Sequence, residues 1–153
     1  MSGIIGVSPN MKSGAVGKFP KGHVIQTQYI YQSSTYTNSG SFSTIITKDI
    51  TPALTSNKII VHVACRAAWP DGTMTHGWHP MQVTRAGSQI GGGALYMGDD
   101  TPQFYRQNWL SWNFVDTVPV AGSAVTYDFN GSSDYGDVLS VFNAHMILQE
   151  IQG

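Results

Sequence analysis

Apolar and polar residues alternate along most of the chain after His23, which is the pattern of half-buried strands. The longest run belongs to the segment ITPALTSNKIIVHVACR, from Ile50 to Arg66, where a polar turn leads into β-branched residues. Four apolar residues of this run share one face: Ile59, Val61, Val63 and Cys65. The pattern predicts a central strand with this face in the core, and we expect the rest of the chain to be organised around it.

Other segments also have strand patterns: HVIQTQYIYQ, FSTIITKDI, MQVTRAG, SQIGGGALYMG, QNWLSWNFVDTVP, SAVTYDF and DVLSVFNAHMILQEI. The tract from Ser33 to Ser43 has the composition of turn and loop. Eight or so strands at this spacing, with no convincing helix, predict an all-β fold. We expect residues 23–153 to form a single jelly-roll-like antiparallel β-sandwich.

Alternation also predicts which side chains face the core. In HVIQTQYIYQ we expect the aromatic face, with Tyr29 and Tyr31, to point inward. In the last segment we expect one shared face made of Phe142, Ala144, Met146 and Leu148. The three consecutive glycines from Gly91 to Gly93 predict a bulge or sharp bend where no side chain is tolerated.

Residues 1–22 differ from the rest of the chain, with five glycines, two prolines and three lysines around isolated apolar residues. Those apolar residues are Ile4, Ile5, Val7, Met11, Val16 and Phe19. Such a segment cannot build a core, so its apolar side chains have a role only if they dock on another surface. We interpret it as an extended N-terminal attachment arm, and the alternative is a free, disordered tail.

Composition limits the function. The chain has 153 residues, 41% hydrophobic and 11% charged, with a formal net charge of -1. This predicts one domain with its own core and disfavours nucleic-acid binding, because no basic field exists to gather phosphates. No apolar run approaches the ~20 residues of a membrane span, so no membrane insertion is expected. The single cysteine, Cys65, has the pattern of a small buried hydrophobe.

The segment from Trp69 to His79 concentrates the chemically interesting side chains: Trp69, Asp71, His76, Trp78 and His79. Aromatic rings beside polar groups on a loop suit a ligand or receptor site such as a sugar surface. His76 and His79 raise the question of a metal, but Gly77 and Pro80 predict loop rather than a fixed geometry, so we predict no metal. Trp109 and Trp112 are more typical of core or subunit interface.

Catalytic and phosphate-binding signatures are not found in the sequence. There is no G-x-S-x-G elbow for a nucleophile, and GGGALYMG lacks both the P-loop lysine and the G-x-G-x-x-G spacing. We therefore predict no enzyme and no cofactor.

The string ITPALTSNKIIVHV resembles ITPSSTSNKILV, which recurs in small structural proteins of tailed bacteriophages, particularly marine phages. PVAGSAVTYDF and the closing MILQEI occupy the places where those proteins carry a similar strand pair. The resemblance covers about residues 22–153. It implies a β-sandwich, usually trimeric, on the exterior of a phage particle, and it implies no catalytic residues.

The arm and the resemblance together predict a non-enzymatic virion protein, a trimeric surface knob that its arm anchors to other virion proteins as capsid decoration or a short fibre. The alternative is a receptor-binding tail-fibre tip that recognises a host surface glycan. The first residues lack the charged head and apolar core of a signal peptide, so we expect synthesis in the host cytoplasm and a final place on the virion surface.

Overall fold

The computed structural model describes residues 21–68, 77–97, 107–117, 121–133 and 138–153. In these ranges the chain forms nine strands and no helix. The strands are β1 (Val24–Gln32), β2 (Tyr36–Asn38), β3 (Ser43–Ile50), β4 (Lys58–Ala68), β5 (Gly77–Arg85), β6 (Ser88–Met97), β7 (Gln107–Asp116), β8 (Val125–Gly131) and β9 (Leu139–Ile151). Residues 1–20 of the predicted arm lie outside the described residues.

The strands form two antiparallel sheets packed as a sandwich. One sheet has the order β1-β9-β4-β7, with the short β2 also paired to β9, and the other has the order β3-β8-β5-β6. With β2 set aside, the eight longer strands are divided four and four between the sheets, and this strand order is that of a jelly roll. The prediction of an all-β sandwich is confirmed. The prediction that Ser33 to Ser43 is turn and loop is partly wrong, because Tyr36–Asn38 pairs with Leu139–Val141 of β9.

The core lies between the sheets and is built by the alternating faces of the strands. Ile59, Val61 and Val63 of β4 are buried, as is the Cys65 thiol, whose pKa burial raises to about 12. On the facing sheet, Tyr127 and Phe129 of β8 are buried against them. The predicted core face of the central strand is therefore confirmed.

Two predictions of side-chain direction are wrong. Tyr29 and Tyr31 point outward from β1, with 53% and 45% of their surface exposed, while Ile30 packs against the core. Phe142 does not share the face of Ala144, because the register with β4 shifts where Asn143 adopts a left-handed backbone with φ of 50°. This bulge turns Phe142 to the outer side of the sheet, where its ring lies 5.5 Å from the Arg66 guanidinium.

The glycines of β6 make room for aromatic side chains from the other sheet. A Cβ added at Gly91 would lie 2.0 Å from the Phe114 ring, and one at Gly93 would lie 3.3 Å from the Trp112 ring. The pairing of β5 with β6 also shifts register between Val83 and Thr84, opposite this stretch. The predicted irregularity without room for side chains is confirmed.

Candidate functional site

Three distant strings of the sequence meet at one end of the sandwich, around the carboxylate of Glu150. These are ITPALTSNK before β4, Ala121 and Gly122 before β8, and MILQEI in β9. Glu150 is fully buried. Its Oε1 accepts hydrogen bonds from the backbone N–H of Ala53 at 2.7 Å and from Asn57 Nδ2 at 2.5 Å. Its Oε2 accepts one from Gln26 Nε2 at 2.7 Å.

The backbone completes this cluster. The N–H of Gly122 donates to the Pro52 carbonyl at 2.8 Å, and Gln26 Nε2 also donates to the Thr51 carbonyl at 2.7 Å. Both oxygens of the Glu150 carboxylate therefore accept hydrogen bonds within the fold, and these bonds hold the β3–β4 turn to the last strand. The strings that carry the phage resemblance therefore perform a structural task, since they close one end of the fold.

A second buried carboxylate, Asp116 on β7, links the two sheets. It accepts hydrogen bonds from Arg85 Nη1 at 2.7 and 2.9 Å and from the Tyr127 hydroxyl at 2.7 Å. Burial of Tyr127 and its bond to Asp116 raise the pKa of this phenol, so it remains protonated as a donor. Because the two donors come from the sheet opposite β7, this group also has a structural role.

The end of the predicted ligand segment is strand rather than loop. Trp69, Asp71 and His76 lie outside the described residues. Trp78 and His79 belong to β5, and His79 is fully buried. Its spacing of two from Met81 and four from Val83, which are both core residues, is the signal that would have placed it inward.

A group of accessible aromatic and polar side chains lies on the side of the β1-β9-β4-β7 sheet that faces away from the core, which we call the outer face. The strand registers align its side chains in rows across four strands. One row runs through Tyr29, Ile147, His62 and Asn113, and the next runs through Tyr31, His145, Ala64 and Ser111. His62 and His145 therefore both lie on this face.

Tyr29, Tyr31, Asn143 and His145 form a connected group at the β1–β9 border of the outer face, which we call the tyrosine platform. The Tyr29 hydroxyl lies 3.2 Å from His145 Nδ1, and the Tyr31 hydroxyl donates to Asn143 Oδ1 at 2.9 Å. The Tyr31 and His145 ring centroids are 4.8 Å apart with planes tilted by 33°. The hydrogen bonds fix both phenol rings in place.

The opposite border of the outer face has a different character. On β7, Trp109 and Val115 expose 67% and 58% of their surface, whereas Trp112 turns inward and packs edge-on against Phe129. Between the two exposed residues, the Asn113 side chain is hydrogen-bonded to His62 of β4. This β7 border therefore presents large apolar side chains to solvent.

Sequence reasoning missed the outer face because it placed the tyrosines of β1 in the core. Both faces of β1 carry large side chains, so alternation alone does not decide which one is buried. The register shift at Asn143 was also missed, although an asparagine within an alternating strand is a residue that tolerates the left-handed conformation. That conformation is what brings the Asn143 amide beside Tyr31.

Two general findings concern the described residues. They contain no group of three or more histidine, cysteine, aspartate or glutamate side chains that could hold a metal ion. No helix long and apolar enough to cross a membrane occurs in the ranges given above.

No protein-family model matches the chain, and no curated protein sequence matches it. Among solved structures, the VP2 subviral particle of infectious bursal disease virus is similar at 13% identity and a TM-score of 0.46, and the Gx strain of the same virus at 15% and 0.46. Each match covers 99% of this chain and 37% of the other. Dimeric latent PorU from Porphyromonas gingivalis matches at 9% identity and a TM-score of 0.44, over 88% of this chain and 14% of its own.

The chain thus spans well under half the length of each of these structures. At such identities and TM-scores the similarities carry no inference about function, which has to rest on the residues of this chain.

Proposed function

We propose that the chain is a non-enzymatic structural protein of a virion surface, a homotrimeric jelly-roll knob that residues 1–22 anchor to other virion proteins. In this role it decorates a capsid or forms a short fibre. The resemblance of its turn and strand strings to phage structural proteins supports the class of protein. The buried chemistry of Glu150 and Asp116 supports a structural use of its acidic groups, since both are bonded within the fold.

The observation that carries the proposal is the β7 border of the outer face. Trp109 and Val115 lie on the strand at the end of the sheet order, and both are large, apolar and exposed. Burial of a tryptophan is worth several kcal/mol at about 25 cal/mol per Å² of apolar surface, so a neighbouring copy that covers it gains substantial free energy. Aromatic anchors of this kind are enriched at the centres of protein interfaces.

Light scattering of the full chain tests the assembly. We expect a mass of about three times 16.6 kDa at micromolar concentration. Trp109→Ser should lower the mass to that of a monomer while leaving the thermal transition of the fold in place, because the side chain is exposed within one copy. Phe42→Ser is the matched control, since Phe42 is 44% exposed and lies next to the other sheet. A monomeric wild-type chain, or a Trp109→Ser chain that remains trimeric, would contradict the proposal.

Deletion of residues 1–21 tests the arm. Gly22 is retained, because its N–H donates to the Gln152 carbonyl and the Gln152 N–H donates to the His23 carbonyl, which ties the start of the domain to β9. We expect the shortened domain to keep its thermal transition and to be lost from purified particles. Loss of cooperative unfolding, or unchanged incorporation, is the contrary result.

A further inference from the structure

The tyrosine platform has features of a binding surface that the assembly role does not use. It lies at the β1–β9 border, while the exposed apolar residues of β7 lie at the far end of the same sheet. Three strand spacings separate β1 from β7, or about 14 Å. The platform therefore contains neither of the two residues proposed for the contact between copies.

The platform is shaped by an unusual backbone. Asn143 holds a left-handed conformation with φ of 50°, a state that non-glycine residues occupy rarely and asparagine more often than most. In the bulge, two successive residues, Phe142 and Asn143, have their side chains on the outer face, where they contact Arg66 and Tyr31. Bulges of this type re-aim side chains and are over-represented beside functional sites. Here the result is an amide next to an exposed phenol ring.

The polar groups of the platform are pre-oriented by one another. Because Asn143 Oδ1 accepts from the Tyr31 hydroxyl, the amide nitrogen is the end of the side chain that remains to donate to a ligand. His145 is engaged through Nδ1, which leaves Nε2 for the same purpose. Since the partners already fix the side chains, a ligand orders few groups when it binds.

The chemistry of the platform selects the class of ligand. Two exposed phenol rings offer electron-rich faces to weakly positive C–H groups, and the amide and imidazole pair with hydroxyl groups. None of the four side chains carries a formal charge with histidine neutral, and the whole chain is close to neutral, so a phosphate or an acidic peptide finds no counter-charge among them. The cation beside the platform, the Arg66 guanidinium, lies over the Phe142 ring. A purely apolar ligand would desolvate the amide and the imidazole without replacing their water.

We propose that the tyrosine platform binds a neutral saccharide, with sugar rings stacked on Tyr29 and Tyr31 and hydroxyl groups bonded to Asn143 and His145. The surface is an open sheet face, so a single site binds weakly, with a dissociation constant on the order of millimolar. Repeated copies on one particle turn such weak sites into firm attachment through effective concentration. All four binding residues belong to one copy of the chain, so the proposed binding does not depend on the virion role.

The test presents the full chain to an array of immobilised neutral and acidic oligosaccharides, followed by NMR titration of the best neutral binder in solution. We expect binding to at least one neutral saccharide. The double change Tyr29→Ala and Tyr31→Ala should weaken it at least tenfold. Asn143→Gly should weaken it severalfold while preserving the fold, because glycine accepts the left-handed backbone of the bulge. Phe42→Ala is the control that should bind like the wild type.

Several results would overturn the proposal. These are an array with no neutral binder, an array with acidic binders only, and binding that survives in both platform variants. A fall in the light-scattering mass of the tyrosine double variant would show instead that a second copy of the chain covers the platform. Because none of these readouts involves particles, the saccharide proposal and the virion proposal fail separately.

Discussion

Glu150→Gln is expected to lower the free energy of unfolding by about 2 to 4 kcal/mol, since it removes a buried, charge-assisted hydrogen-bond acceptor. A glutamine oxygen can still accept the hydrogen bonds from the Ala53 N–H and Asn57 Nδ2. The new amide nitrogen, however, then faces Gln26 Nε2, so two donors meet. Rotation of the Gln26 amide by half a turn does not relieve this conflict, because it would place the Gln26 oxygen against the Thr51 carbonyl oxygen. The turn before β4 and the end of β9 are destabilised together.

Chemical denaturation followed by tryptophan fluorescence measures this loss as a shift of the midpoint at unchanged slope. Asp49→Asn is the matched control, because it removes the same formal charge from an exposed position on β3. The control should change stability by no more than about 0.5 kcal/mol. Equal effects of the two substitutions would mean that the Glu150 cluster does not hold the end of the sandwich.

Gly91→Ala is expected to destabilise the fold by about 1 to 3 kcal/mol, the usual range for overpacking a core. The new methyl group would lie 2.0 Å from Cδ1 of Phe114, so the ring has to leave its place between the sheets. Gly40→Ala is the control, because a Cβ there meets no atom within 4 Å and the backbone is not left-handed.

A double-mutant cycle identifies the cause of this effect. In a Phe114→Ala background, where the ring is absent, the cost of Gly91→Ala should fall by at least half. A cost that is the same in both backgrounds would assign the loss to the backbone of β6 rather than to contact with Phe114. Both alanine variants are measured by the same denaturation assay.

Period-two alternation predicted the parts of the fold where only one face of a strand is apolar. The β4 face from Ile59 to Cys65 is buried as expected, and the alternating Val125, Tyr127 and Phe129 of β8 are buried as well. It failed on β1, where Ile30 and the flanking tyrosines compete for the core. The tyrosines are long and carry hydroxyl groups, and on the outer face these groups find Asn143 and His145 as partners.

Strand alternation also cannot show where a register shifts. Phe142 was assigned to the core because it precedes Ala144 by two residues, and a single left-handed residue between them reverses its direction. For the candidate site, the sequence pointed to the segment that ends at His79, but the accessible aromatic and polar groups of the described residues meet across strands. Tyr31 and His145 are more than a hundred residues apart in the chain, so only the pairing of β1 with β9 brings them together.

The proposed place on the virion surface is tested by immunogold labelling of intact particles purified from a lysate of infected cells. The antibody is raised against residues 22–153. A virion surface protein should be labelled on the outside of unbroken particles, at repeated positions on the capsid or the tail, and should copurify with the particles in fixed proportion. Particles that carry no label, together with recovery of the whole protein in the particle-free supernatant, would contradict the proposed role.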